Sequence, residues 1–70
     1  MRPLARKIAS GVGMTDIVLL KDTEAGWLPL AIGDLPFSTL AKADAWLAVP
    51  SGNEGYAAGS LVGAYSLHVE

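Results

Sequence analysis

Hydrophobic residues along this chain come in short dense runs separated by glycine, proline and acidic turns. Residues 2–10 alternate only partly and predict one strand entering from something upstream, and Gly11 and Gly13 then mark a turn or bulge. Residues 15–21 (TDIVLLK) form a β-rich run in which Ile17 and Leu19 face one way and Val18 and Leu20 the other. Both sets are apolar, so this strand is expected to be covered on both faces. Residues 22–26 (DTEAG) read as a polar turn into a second short strand, 27–30 (WLPL), completing a hairpin. Pro29 has no N–H to give a neighbour, which places that strand at an edge or a bulge.

A turn at 32–35 carries Gly33 and Asp34 and leads to the one helix candidate, Pro36 to Ala43 (PFSTLAKA). Phe37, Leu40 and Ala41 stand at i, i+3 and i+4 and make one apolar stripe; Asp34 is placed to cap the start. Two turns of helix do not hold themselves, so packing of that stripe is expected to hold them. Residues 45–49 (AWLAV), stopped by Pro50, read as a buried strand, 50–59 as a loop, and 61–69 as a last strand. On that last strand Leu61, Tyr65, Leu67 and Val69 are expected inside, with Ala64, Ser66 and His68 outside. Four or five short strands with one short helix near Pro36–Ala43 predict a mostly-β fold, a small bent antiparallel ribbon or incomplete barrel.

Composition changes this picture in one respect. Of 70 residues, 42 are Ala, Val, Ile, Leu, Met, Phe, Trp or Gly, and only 17% are charged. Typical domains carry about 45–50% and about 25% respectively. A domain this small has much surface for its volume. The excess of apolar residues therefore predicts a surface covered by another domain or subunit. With no cysteine, disulfides are excluded and the redox compartment cannot be read.

The net charge is −2, with three of the five basic residues at Arg2, Arg6 and Lys7. That distribution gives no expectation of nucleic-acid binding. The longest uncharged run, 55–67, is interrupted by glycines and too short to span a bilayer, and the first residues lack the apolar core of a signal peptide.

Candidate chemistry is sparse. His68 is the one histidine and reads as a solvent-facing residue near a terminus rather than a catalytic base. Residues 11–15 (GVGMT) lack the third glycine and the Lys–Ser/Thr of a phosphate loop. Trp27 and Trp46 read as core or interface anchors, and Asp22 and Glu24 as a solvated turn. The ligand-cleft candidates are Gly33, Asp34, Ser38 and Thr39, a carboxylate, hydroxyls and free N–H groups gathered at a helix start. Their plainer reading is helix capping and ordinary first-turn polarity. No catalytic residue and no metal ligand set is expected.

Three segments, taken in order, are distinctive: Ser38-Thr39-Leu40-Ala41-Lys42-Ala43-Asp44-Ala45, then Trp46 to Pro50, then Ala58-Gly59-Ser60-Leu61-Val62. They resemble the C-terminal domain (domain IV) of the molybdopterin molybdenumtransferases, which include bacterial MoeA and the E domain of gephyrin. Arg2-Pro3-Leu4-Ala5-Arg6-Lys7 resembles that domain's first strand.

The resemblance implies a bent, β-clip-like ribbon and a chain that is the C-terminal fragment of a larger cytoplasmic protein. That parent would use magnesium, molybdopterin and molybdate, and would work as a homodimer. The domain itself would bind no cofactor. It would pack beside the other domains of its parent and help close their molybdate/molybdopterin cleft. The family's second strand carries gly-arg-x-asp/glu-phe-x-arg, and here Met14 and Leu19 stand in place of both arginines. That departure keeps two alternatives open: an accessory domain of a non-catalytic molybdate- or cofactor-responsive binding protein, and a free-standing β interaction module.

Overall fold

The computed structural model describes residues 1–11, 13, 15–33 and 36–67. The elements run β1 (Arg2–Pro3), β2 (Ile8–Ala9), β3 (Asp16–Thr23), β4 (Gly26–Ile32), α1 (Phe37–Lys42), β5 (Ala45–Val49), β6 (Gly55–Tyr56), β7 (Leu61–Val62) and β8 (Tyr65–Ser66). Every ladder is antiparallel. The strands form one sheet in the order β4-β3-β5-β8 and two small pairs, β1-β7 and β2-β6. The fold is thus mostly β with one short helix, and among the described residues its small sheets do not close into a barrel.

The central strand is the apolar run read from the sequence. In β3, Val18, Leu19 and Leu20 are all buried, so both faces are covered. Val18 and Leu20 share one face with Ala45, Leu47 and Val49 of β5. Leu4, Ile8 and Val62 from the small pairs close over that face and complete the core. Leu19 points the other way and is buried outside this cluster, as is Ala43 just after α1, on the side where α1 meets β3.

Pro29 meets both of the conditions its missing N–H imposes. β4 is an edge strand, and its register against β3 shifts at this point: Leu19 pairs with Ala31, Leu20 with Pro29, and Leu30 is bulged out.

Four expectations are corrected. The first strand is two: β1 and β2 pair with different late strands, β7 and β6, and the chain bends between them. The loop 50–59 contains β6. The last strand is broken at Gly63 into β7 and β8, which join different sheets, so the inside–outside alternation does not run through it. Val62 is buried while Leu61 and Tyr65 are 63% and 64% exposed, the reverse of the predicted facing. His68 and Val69 lie outside the described residues.

The helix is the fourth correction. Its N-cap is Pro36, with no side-chain cap, and it buries none of its residues. Phe37 is 86% exposed and Leu40 40%, so of the apolar stripe only Leu40 is partly covered where the helix meets β3, and Phe37 adds nothing to its packing. Asp34, expected as the cap, lies outside the described residues, two positions before the observed N-cap.

The N-terminal strands come so close to the later chain that glycine is required at two points. Gly26 (φ 115°) and Gly55 (φ 122°) leave no room for a side chain: a Cβ would run into the Pro3 carbonyl oxygen in one case and that of Ile8 in the other. A Gly55→Ala variant combines a disfavoured backbone with a backbone clash and is expected to lose roughly 2–4 kcal/mol. Thermal melting checks the size. Faster amide exchange at Ser10, whose N–H donates to Glu54 O at 2.8 Å, checks the place.

Candidate functional site

The structure places the candidate cleft residues at one end of the large sheet and on the helix that follows. Gly33 comes directly after β4, and its N–H donates to Ile17 O at 3.0 Å. It lies against the Asp16 carboxylate, since a Cβ at Gly33 would stand 3.5 Å from Asp16 Oδ1. The other oxygen of that carboxylate accepts from Ser10 Oγ at 2.5 Å. Sequence reasoning missed this serine–carboxylate pair, because the two residues are six apart across a glycine turn with no spacing rule to connect them. Ser38 is exposed and Thr39 half-buried on the first turn of α1. Asp34, the fourth candidate, lies outside the described residues.

A second polar region forms at the opposite end, around Asp44. Its backbone N–H donates to Leu20 O at 2.8 Å, and its carbonyl accepts from Leu67 N at 3.0 Å. Its carboxylate accepts from the Asp22 backbone N–H at 2.8 Å and lies 3.4 Å from Lys21 Nζ. One residue thus ties β3 to the start of β5 and to the end of β8. That is a physical reason for an acidic residue just before this strand.

Beside it, Arg2 pairs with the Asp22 carboxylate, donates to Thr23 O at 2.6 Å, and lies 5.0 Å from the centre of the Trp27 ring. Asp22 is therefore more than the solvated turn expected, and Trp27 packs against the core as an anchor. Trp46 stacks on Tyr65 across the β5–β8 pair, with centroids 4.7 Å apart.

Chemically, these regions bind chain to chain. The groove of about 520 Å³ lined by Asp22, Trp27, Asp44, Ala64 and Ser66 has both of its carboxylates engaged by Arg2 and Lys21. Among the described residues no group of three or more His, Cys, Asp or Glu could hold a metal ion. No described helix is long and apolar enough to cross a membrane. Leu19 is 1% exposed, so that position offers nothing to an anion. Met14 lies outside the described residues.

Comparison with known proteins agrees with the motifs in the second half of the chain. Residues 36–67 match the family model described as MoeA C-terminal region (domain IV). No curated protein and no solved structure matches the chain. The matched segment runs from the N-cap of α1 through β5, β6, β7 and β8 and includes the Asp44 junction. The family model thus matches residues 36–67, the stretch that holds the motifs read from the second half of the sequence, and the fold is that of a small, open, mostly-β domain.

Proposed function

We propose that this chain is the domain IV of a molybdenum-cofactor biosynthesis protein, and that it packs beside the parent's other domains and helps close their molybdate/molybdopterin cleft. One observation carries the reading: the family-matched segment opens with a six-residue helix whose Phe37 is 86% exposed beside a Leu40 that is 40% exposed. A helix this short has little stability of its own. Its exposed phenylalanine has the character of an interface anchor. The cleft edge would then lie near Gly33, Asp34, Ser38 and Thr39, which precede and begin this helix. In this reading the parent is a cytoplasmic homodimer and supplies magnesium and the molybdopterin site.

The burial of Leu19 in place of an arginine favours a second reading, in which the parent senses molybdate or cofactor without transferring metal.

The test places Phe37→Asp with Leu40→Asp in two settings, the chain alone and the full parent polypeptide. Exposed substitutions change stability by about 0.5 kcal/mol or less. For the two together, about 1 kcal/mol at most, the melting temperature of the chain alone is therefore expected to move by no more than about 8 °C. In the parent, molybdate insertion into adenylylated molybdopterin is expected to fall by about tenfold or more, as removal of a buried aromatic anchor implies. Unchanged parent stability and unchanged insertion would rule out docking through this face. A parent that binds molybdate but never inserts it, with or without the substitutions, would select the sensing reading.

A further inference from the structure

The open side of the fold has a defined origin. The N-terminal segment meets β4 at a single parallel bridge, Leu4 with Trp27, where Ala5 N donates to Trp27 O at 2.8 Å. It then pairs with β6 and not with the rest of β4. Between the two diverging segments lies a cleft of about 170 Å³, walled by Lys7, Ile8 and Ala9 on one side and by Pro29 to Ile32 on the other, with Val18 among its lining.

We propose that this cleft seats one aliphatic side chain of an acidic partner polypeptide. Size argues for an anchor side chain. Pockets for whole small molecules run to about 300–1,000 Å³, whereas this cleft still exceeds a water's share of about 30 Å³ several times over. Strand addition is blocked, because β4 carries Pro29 without an N–H and a bulge at Leu30, and β2 is two residues long. Ile8 and Val18 give it an apolar lining, and Leu30 and Ile32 are still 36% and 38% exposed beside it.

Charge selects the partner. Lys7 is the one charged residue among the described residues that line the cleft, and Arg6 precedes it. From residue 8 onward the chain has two basic and seven acidic residues. An acidic partner is therefore attracted at this wall and repelled over most of the remaining surface. Asp16, against Gly33 just past the cleft, is engaged by the Ser10 hydroxyl.

Amide chemical shifts of the full chain are followed during titration with three acetylated, amidated peptides: Glu-Glu-Leu-Glu, Glu-Glu-Ala-Glu and Lys-Lys-Leu-Lys. The leucine-bearing acidic peptide is expected to give saturable shifts at Ile8, Ala9, Leu30 and Ile32. Affinity is expected to drop about tenfold or more for the alanine peptide, the size of effect that burial of a leucine implies. Lys7→Glu, a change at an exposed residue, is expected to leave the melting temperature in place and to reverse the preference between the acidic and basic peptides. Equal binding of the leucine and alanine peptides, or of both charges, overturns the proposal. So do shifts confined to other surfaces, no saturable shift at all, or the same shifts arising on concentration without peptide, which would assign the cleft to a second copy of the chain.

Discussion

Leu20→Ala is expected to remove about 2–5 kcal/mol of folding stability, the range for truncating a fully buried leucine. Leu20 is 0% exposed, in the middle of β3, and belongs to the face that collects Val18, Ala45 and Leu47. At about 0.05–0.15 kcal/mol per residue, a chain of this length has roughly 4–10 kcal/mol in total. At the middle of both ranges one substitution takes away about half of it, and the variant is expected to be partly unfolded at 37 °C. The denaturation midpoint in urea measures the loss. Leu30→Ala is the matched control, because Leu30 is bulged out and 36% exposed, and it is expected to cost under about 1 kcal/mol. If the two variants melt alike, the core is not where the structure puts it.

The second large effect concerns the family segment by itself. A peptide of residues 36–67 is expected to have no stable structure. It contains β5, β6, β7 and β8, yet only the β5–β8 pair is internal to it. β5 needs β3, β6 needs Ile8–Ala9, and β7 needs Arg2–Pro3. One two-residue pairing and a six-residue helix fall well short of independent stability. Circular dichroism of the peptide should show a disordered chain, and mixing it with a peptide of residues 1–35 should restore β signal. A cooperative melt from the segment alone would mean that its strands pair in a way this structure does not show.

The strongest sequence signals were those with a local cause. The run Ala45–Val49 ended by Pro50 read as a buried strand, and it is one with those bounds. Pro29 announced an edge or bulge because a missing donor excludes it elsewhere. What the sequence did not reveal depended on distant partners. β1, β2, β6, β7 and β8 are two residues each, too short for any period, and exist because another segment lies beside them. The alternation in 61–69 misled because Gly63 lets the chain change sheets partway. Phe37 has core spacing but stands 86% exposed, which periodicity cannot distinguish. At the candidate cleft, Gly33 read as a turn and follows β4 as one. Its neighbours Asp16 and Ser10 were invisible because a hydrogen bond between side chains of a turn leaves no pattern.

The sewing of the first strands to the last ones has a consequence for biosynthesis. Arg2 pairs with Val62 and Ile8 with Tyr56, so each waits for a partner made 60 or 48 residues later. At about 5–20 residues per second on the ribosome, Leu4 and Ile8 stay without their final neighbours for roughly 3–12 seconds. The β3–β4 hairpin can pair before then, but the apolar face that Leu4 and Ile8 help cover stays open until β6 and β7 have been made, and that face is where a chaperone would first bind.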